Sequence, residues 1–327
     1  MHILFIGYGK TSQRVAKQLF QQGHQITTIS RSPKSDDWAE HLTQDIHQLD
    51  LSQVAPIDAV YVLLSPESST VEAYQRTFVD SIAPMLQALE SHPLKKVIVV
   101  SSTRVYGEST GERVDDDTFP QPSDAQGQVL LNMETLWQQA YPSECVIVRP
   151  TGIYGTSVTR MIKLAGTTKS YPKLHWSNRI HIDDLVAFLA QLLHVEHAEK
   201  SYICSNSRPF PLHEIIQWFQ QVNPTTTETT ESALDQVSLF PTHSPSMGPV
   251  TGARHLWKID RNCAIADGIL QTGCLAQCSL KPVPLSDTDW NDMMVANASI
   301  VLDGTLDDHT STYQGGGKGR KRKRNDK

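Results

Sequence analysis

The stretch Ile3-Leu4-Phe5-Ile6-Gly7-Tyr8-Gly9-Lys10-Thr11-Ser12 decides the fold. Four consecutive apolar residues read as a strand buried on both faces, and glycine stops it. Val15, Ala16, Leu19 and Phe20 follow at helical spacing, so residues 10 to 22 predict an amphipathic helix ended by Gly23. Ile26 to Ile29 then supplies a second β-branched strand. A backbone without Cβ lets a pyrophosphate approach, and a helix N-terminus offers unpaired N–H groups and a positive dipole end. Ser12 stands at the third glycine of the usual fingerprint and is small enough for close helix–strand packing. A tight turn without ligand is the alternative. Strand, GxG, helix and second strand together favour a dinucleotide, bound by Gly7, Tyr8, Gly9, Lys10, Thr11 and Ser12.

The end of the second strand bears on which nicotinamide cofactor is taken. NAD binders usually place Asp or Glu there for the ribose 2′-hydroxyl. This chain reads Thr28-Ile29-Ser30-Arg31-Ser32, with an arginine and no acid. Arg31 can pair with a 2′-phosphate, and Ser30 and Ser32 can donate to it. The expected cofactor is NADP, with NAD as the alternative. The competing reading of Arg31 is a solvated loop arginine.

Strand and helix signals keep alternating. Residues 59 to 64, 96 to 101, 145 to 148 and 202 to 204 read as strands, separated by helical stretches at 68 to 90, 128 to 140 and 182 to 193. A kink is expected in the first of these near Pro84. Such alternation predicts an α/β fold, a Rossmann-type doubly wound parallel sheet with right-handed crossovers. The expected organisation is a dinucleotide-binding domain over 1–165 completed by 180–205, a small C-terminal substrate lobe over 166–280, and a disordered tail over 281–327.

Composition narrows the function. Hydrophobic residues make up 39% of the 327-residue chain and charged residues 20%, enough for a real core. No apolar run approaches the ~18 residues of a membrane span. Five scattered cysteines, of which only Cys274 and Cys278 lie close together, match no zinc spacing and read as reduced thiols of a cytoplasmic protein. Net charge is −6, yet Lys318 to Lys327 alone holds seven basic side chains and one acid, which leaves a body at −12. An acidic body does not attract a phosphate backbone, and the tail lacks aromatics for base stacking, so nucleic acid is not expected as a partner.

Three further segments carry a resemblance. Val99-Val100-Ser101-Ser102-Thr103-Arg104-Val105-Tyr106-Gly107, Val148-Arg149-Pro150-Thr151-Gly152-Ile153-Tyr154-Gly155 and Arg179-Ile180-His181-Ile182-Asp183-Asp184-Leu185 follow in that order. Together these resemble the extended short-chain dehydrogenase/reductase superfamily, in its NAD-dependent epimerase/dehydratase branch, over roughly residues 1 to 222. The glycine turn and the short sequence after the fifth strand are similar to its atypical, YeeZ-like members. The resemblance implies oxidoreductase or epimerase chemistry on a small or nucleotide-sugar-like metabolite, and pairing into a homodimer through helices of the Rossmann domain.

In that family a Tyr-x-x-x-Lys pair moves the proton and a serine orients the substrate. Ser102 matches the serine. Registered on Glu134, the tyrosine position falls on Gln126 and the lysine position on Leu130, and neither side chain can replace its counterpart. Either a crippled enzyme or a catalytically silent NADP-binding sensor or scaffold is therefore implied. The resemblance also puts Pro150 to Ile153 beside the nicotinamide, Asp45 beside adenine, and His175 and His181 on the substrate side of the cleft. A lone histidine is more often structural, and His181 is expected to fix the start of its helix, with Asp183 or Asp184 as the N-cap. Trp137, Trp176 and Trp218 could stack on a ligand, although packing is the commoner fate.

Overall fold

The computed structural model describes residues 1–108, 111–157, 159–170, 175–206 and 209–222. The expected substrate lobe beyond residue 222, the Cys274–Cys278 pair and the tail over 281–327 lie outside them. Strands β1 (His2–Ile6), β2 (Gln25–Ser30), β3 (Glu40–Thr43), β4 (Ala59–Val62), β5 (Lys96–Val100) and β6 (Cys145–Pro150) belong to one sheet. After the short strands β7 (Gly152–Tyr154), β8 (Trp176–Ser177) and β9 (Arg179–His181), strand β10 (Ser201–Cys204) completes it. The order is β10-β6-β5-β4-β1-β2-β3, and every pair is parallel.

Strand β1 shows why the sheet is doubly wound. Its five residues are all buried, and alternate side chains enter different cores. Ile3 and Phe5 join Val15 and Leu19 of α1 (Lys10–Gln21) and Leu185 and Leu189 of α6 (Ile182–Leu192). Leu4 and Ile6 join Phe78 of α2 (Val71–Phe78), Met85 of α3 (Ile82–Leu89) and Trp137 of α4 (Ala125–Ala140). A period of two in the strand thus feeds two helical layers. Phe5 stacks on Tyr61 at 4.8 Å, and the buried Tyr61 hydroxyl donates to the Leu189 carbonyl at 2.8 Å, tying the sheet to α6.

The helix expected over 68–90 is two helices, not one with a kink at its proline. The helix breaks at residues 79 to 81, and Pro84 becomes the third residue of α3. There its missing N–H is one the first turn would leave unpaired anyway. Edge strand β3 carries no apolar alternation, and its sequence gave no strand signal. Helix α6 starts two residues before Asp184, and its cap is His181 rather than an aspartate; the imidazole Nδ1 accepts from Asp183 N–H at 3.2 Å.

A second, smaller core lies beyond β6. Helix α5 (Thr159–Thr167), which crosses residue 165, and α7 (Leu212–Val222) share Met161, Ala165, Ile215, Ile216 and Phe219. Gln220 donates to the carbonyls of Ala165 and Thr168 at 2.9 and 3.1 Å. Strands β7 and β9 pair in parallel, and β8 pairs antiparallel with β11 (Phe210–Pro211). Among the described residues, no helix is long and apolar enough to cross a membrane.

Candidate dinucleotide site

The sheet order reverses between β1 and β4. In open α/β sheets the crevice at the carboxyl ends of strands beside such a reversal takes the ligand. Here that position holds Gly7-Tyr8-Gly9. Gly7 has φ of 90°, its N–H donates to the Ile29 carbonyl at 3.0 Å, and a β-carbon on it would overlap the Leu63 carbonyl. Only glycine fits there. Gly9 has the opposite environment. A β-carbon there would meet nothing within 4 Å, and the space in front of α1 is open.

Helix α1 begins without a capping side chain. Its N-cap, Gly9, offers no side-chain acceptor, and no acid lies in the first turn. Its leading N–H groups therefore face the crevice with a positive dipole end and no side-chain acceptor at the cap. Ser12 is 1% exposed, as close packing of α1 on the sheet requires. Lys10 is exposed and Thr11 half-buried at the helix start. Tyr8 is buried, donates to Asp36 at 2.7 Å, and lies beside Trp38 and His41. Burial first, and then the Asp36 carboxylate, raise its pKa far above the usual phenol value. Open space over Gly9 and an uncapped helix end fit the diphosphate of a pyridine dinucleotide.

At the end of β2, Ser30 donates to the Ser32 carbonyl at 2.8 Å, and the His41 ring lies 3.3 Å from the hydroxyl and 3.1 Å from that carbonyl. Arg31 forms an ion pair with Glu67, both side chains being 62% exposed. The Arg31 hydrogen bond holds the Glu67 carboxyl below its ordinary pKa. Asp45 caps the 3-10 turn Ile46–Gln48 by accepting from His47 N–H at 3.0 Å, and its pKa is lowered chiefly by that bond.

At the other end of the crevice, Ser102 caps the 3-10 turn Thr103–Val105, its hydroxyl accepting from Arg104 N–H at 3.2 Å. That turn is clamped to the start of α4. Arg104 pairs with Asp124, the α4 N-cap, at 2.9 Å, and a β-carbon on Gly127 would lie 2.7 Å from the Arg104 carbonyl. Gln126 therefore sits beside the Ser102 turn, half-buried, its amide donating to the Ser69 carbonyl at 2.8 Å. Leu130, one turn on, is 3% exposed within the main core. Ser101, at the carboxyl end of β5, is buried with a hydroxyl that has no hydrogen-bond partner among the described residues.

Pro150 ends β6 opposite Cys204, buried, whereas Ile153 on β7 is 43% exposed. The His181 ring meets Tyr154 edge-on at 5.1 Å and lies where a Gly155 β-carbon would be. Burial lowers the pKa of His175. Trp137 is wholly buried beside Tyr141, and Trp218 meets Phe219 at 5.0 Å. Trp176 lies half-buried on β8. Among the described residues, no group of three His, Cys, Asp or Glu could hold a metal ion.

Two features escape a reading of the sequence alone. Buried Glu134 and Arg149 pair at 2.6 Å, and Arg149 also donates to the Tyr106 hydroxyl at 2.8 Å. Arg179 on β9 donates to the Ser177 hydroxyl at 2.8 Å and reaches the Met161 sulfur at 3.2 Å, with no carboxylate partner among the described residues. Burial, then the positive charge of Arg160, lower its pKa. Charged residues at motif spacing were the only available signal, and they do not say who pairs with whom.

Residues 7–203 match the model of the NAD dependent epimerase/dehydratase family. Protein YeeZ of Escherichia coli strain K12 is 24% identical over 220 residues, which span 63% of this chain and 78% of YeeZ. A candidate NAD-dependent epimerase/dehydratase from Methylobacillus flagellatus superposes with a TM-score of 0.60 at 28% identity, covering 90% of this chain and 98% of the other. UDP-glucuronic acid 4-epimerase from Bacillus cereus, in complex with UDP-glucuronic acid and NAD, superposes with a TM-score of 0.66 over 93% and 99% of the two chains. At 18% identity the latter shares the fold. The matched segment is well over half of the sequence, and the chain belongs to the NAD dependent epimerase/dehydratase family.

Proposed function

We propose that this protein binds a pyridine dinucleotide, NADP in preference to NAD, and acts as an oxidoreductase- or epimerase-like protein on a small, anionic, nucleotide-sugar-like metabolite. The observation that carries the reading is the Gly7–Gly9 turn, with open space over Gly9 and an α1 N-terminus lacking any capping side chain. Arg31 supports NADP, because a guanidinium at the end of β2 suits a 2′-phosphate. Arg179 and nearby Arg160 support an anionic substrate, since two neighbouring guanidinium groups without a carboxylate favour an anion between them. The Bacillus cereus relative holds UDP-glucuronic acid and NAD, a ligand pair of this chemistry.

A bound nicotinamide supplies hydride transfer. What the chain itself supplies is positioning: Ser101 and Ser102 offer hydroxyls at the end of β5. We take Gln126 and Leu130 as the family tyrosine and lysine positions. An amide bonded to Ser69 and a leucine sunk in the core cannot relay a proton, so turnover by that route is severely impaired. The same two residues favour a second reading, a silent NADP-binding sensor or scaffold. Buried, unpaired Cys145 and Cys204 support a reducing, cytoplasmic setting.

Calorimetry with NADP and NAD, followed by turnover assays on carbonyls and nucleotide sugars, tests both readings. Micromolar NADP binding without turnover supports the silent reading, and turnover unaffected by Gln126→Ala points to another proton donor. An absence of heat with either nucleotide overturns the proposal.

A further inference from the structure

The loop between β4 and α2 passes in front of the glycine turn. Leu63, the first residue after β4, sets its carbonyl against Gly7, and Glu67 then reaches Arg31, the first residue after β2. Strands β4 and β2 flank β1 on opposite sides. The ion pair therefore joins two loops across the carboxyl end of the strand that carries the glycine turn.

Nothing in the packing calls for an acid at position 67. Both partners are 62% exposed, and α2 is already capped by Thr70, whose hydroxyl accepts from Ala73 N–H at 3.2 Å. Asp45 also lies within the electrostatic reach of Arg31. Two carboxylates thus face the one guanidinium that a 2′-phosphate would need. An exposed pair of this kind is weak, screened by solvent, and opens readily.

We infer that Glu67 sets how strongly this protein discriminates NADP from NAD: it holds Arg31 in the free protein and must yield it to the 2′-phosphate. A phosphate dianion entering beside Arg31 has to displace the Glu67 carboxylate, which then repels it. A plain 2′-hydroxyl makes no such demand, so NAD binds with the pair closed. Glu67 accordingly damps the NADP preference that Arg31 alone would confer. The inference rests on the dinucleotide reading above.

Calorimetry on the full chain tests it, with NADP and NAD titrated into the unmodified protein, Glu67→Gln, Arg31→Met and the double variant. Glu67→Gln should tighten NADP about three- to ten-fold, the worth of a surface pair plus the relieved repulsion, and leave NAD within about two-fold. In the Arg31→Met background the same change should tighten NADP less than in the unmodified protein, because only the repulsion is left to relieve, and should leave NAD unchanged. If both nucleotides bind and Glu67→Gln leaves their affinity ratio unchanged, or shifts it toward NAD, the inference falls while the dinucleotide reading stands. If neither binds the unmodified protein, both fall. Both side chains are exposed, so loss of folding does not confuse the result.

Discussion

The Glu134 carboxylate of α4 and the Arg149 guanidinium of β6 meet at 2.6 Å while only 1% and 6% exposed. Burial works against the charge on Arg149, but the carboxylate beside it prevails and holds its pKa above the ordinary value. Removing one partner strands the other in a poorly solvated site. Arg149→Met should lower unfolding free energy by about 3–5 kcal/mol. Glu134→Leu in the same chain should recover much of that loss, because the buried charge is then gone. Denaturant titration of the single and double variants measures both, and a single-variant loss below about 1 kcal/mol would contradict the assignment.

Gly7 and Gly9 separate folding from binding. A methyl on Gly7 overlaps the Leu63 carbonyl and requires φ of 90°, so Gly7→Ala should destabilise the fold by several kcal/mol, or about 1–3 from backbone strain alone. A methyl on Gly9 meets nothing within 4 Å, so Gly9→Ala should melt within a few degrees of the unmodified protein. It should nonetheless weaken dinucleotide binding ten-fold or more by occupying the diphosphate's approach. Thermal melts paired with calorimetry distinguish the two, and intact affinity in Gly9→Ala would remove the cradle.

Restoring a Tyr-x-x-x-Lys pair should not be a simple exchange. Gln126 is half-buried, with its amide bonded to the Ser69 carbonyl, and Gln126→Tyr should keep the fold at a small cost in stability. Leu130 is 3% exposed among apolar side chains, so Leu130→Lys should bury an ammonium and cost several kcal/mol, or drive the lysine to lose its proton. A melting temperature unchanged by Leu130→Lys would mean that this face of α4 is open to solvent.

Burial lowers the pKa of His92, His175, His24 and His194. The unfolded chain keeps their ordinary values near 6.5. Between that value and the lowered folded ones the unfolded state binds more protons, so stability is full above pH 6.5 and falls on acidification. The depressed carboxyls of Asp45 and Asp58 add a second loss in the same direction below about pH 4. Denaturation midpoints measured from pH 8 to pH 5 should decline monotonically. A rise on acidification would reverse the sign assigned to the histidines.

Arg179→Met should leave the melting temperature nearly unchanged or raise it, since no carboxylate is left unpaired among the described residues and a half-buried charge is removed. Binding of an anionic nucleotide sugar such as UDP-glucuronic acid should fall at least ten-fold while NADP affinity holds. Equal affinity in the variant would detach Arg179 from substrate recognition.

The residues around Gly7 determined the first strand, the helix that follows it and the glycine turn with its uncapped helix end, because strand burial, glycine geometry and helix capping are local and leave their mark within twenty residues. Long apolar strands such as Ala59–Val62 and Cys145–Pro150 were legible for the same reason. Edge strand β3, the two-residue strands of the small lobe and the break before Pro84 were not, since their stability comes from neighbours rather than from their own pattern. Only the tertiary structure decided that Arg31 faces Glu67, that Leu130 is sealed in the core and that Arg149 answers Glu134. Partners 36 and 15 positions apart in the chain meet only when strands and crossovers pack, and charge pairing has no period to read.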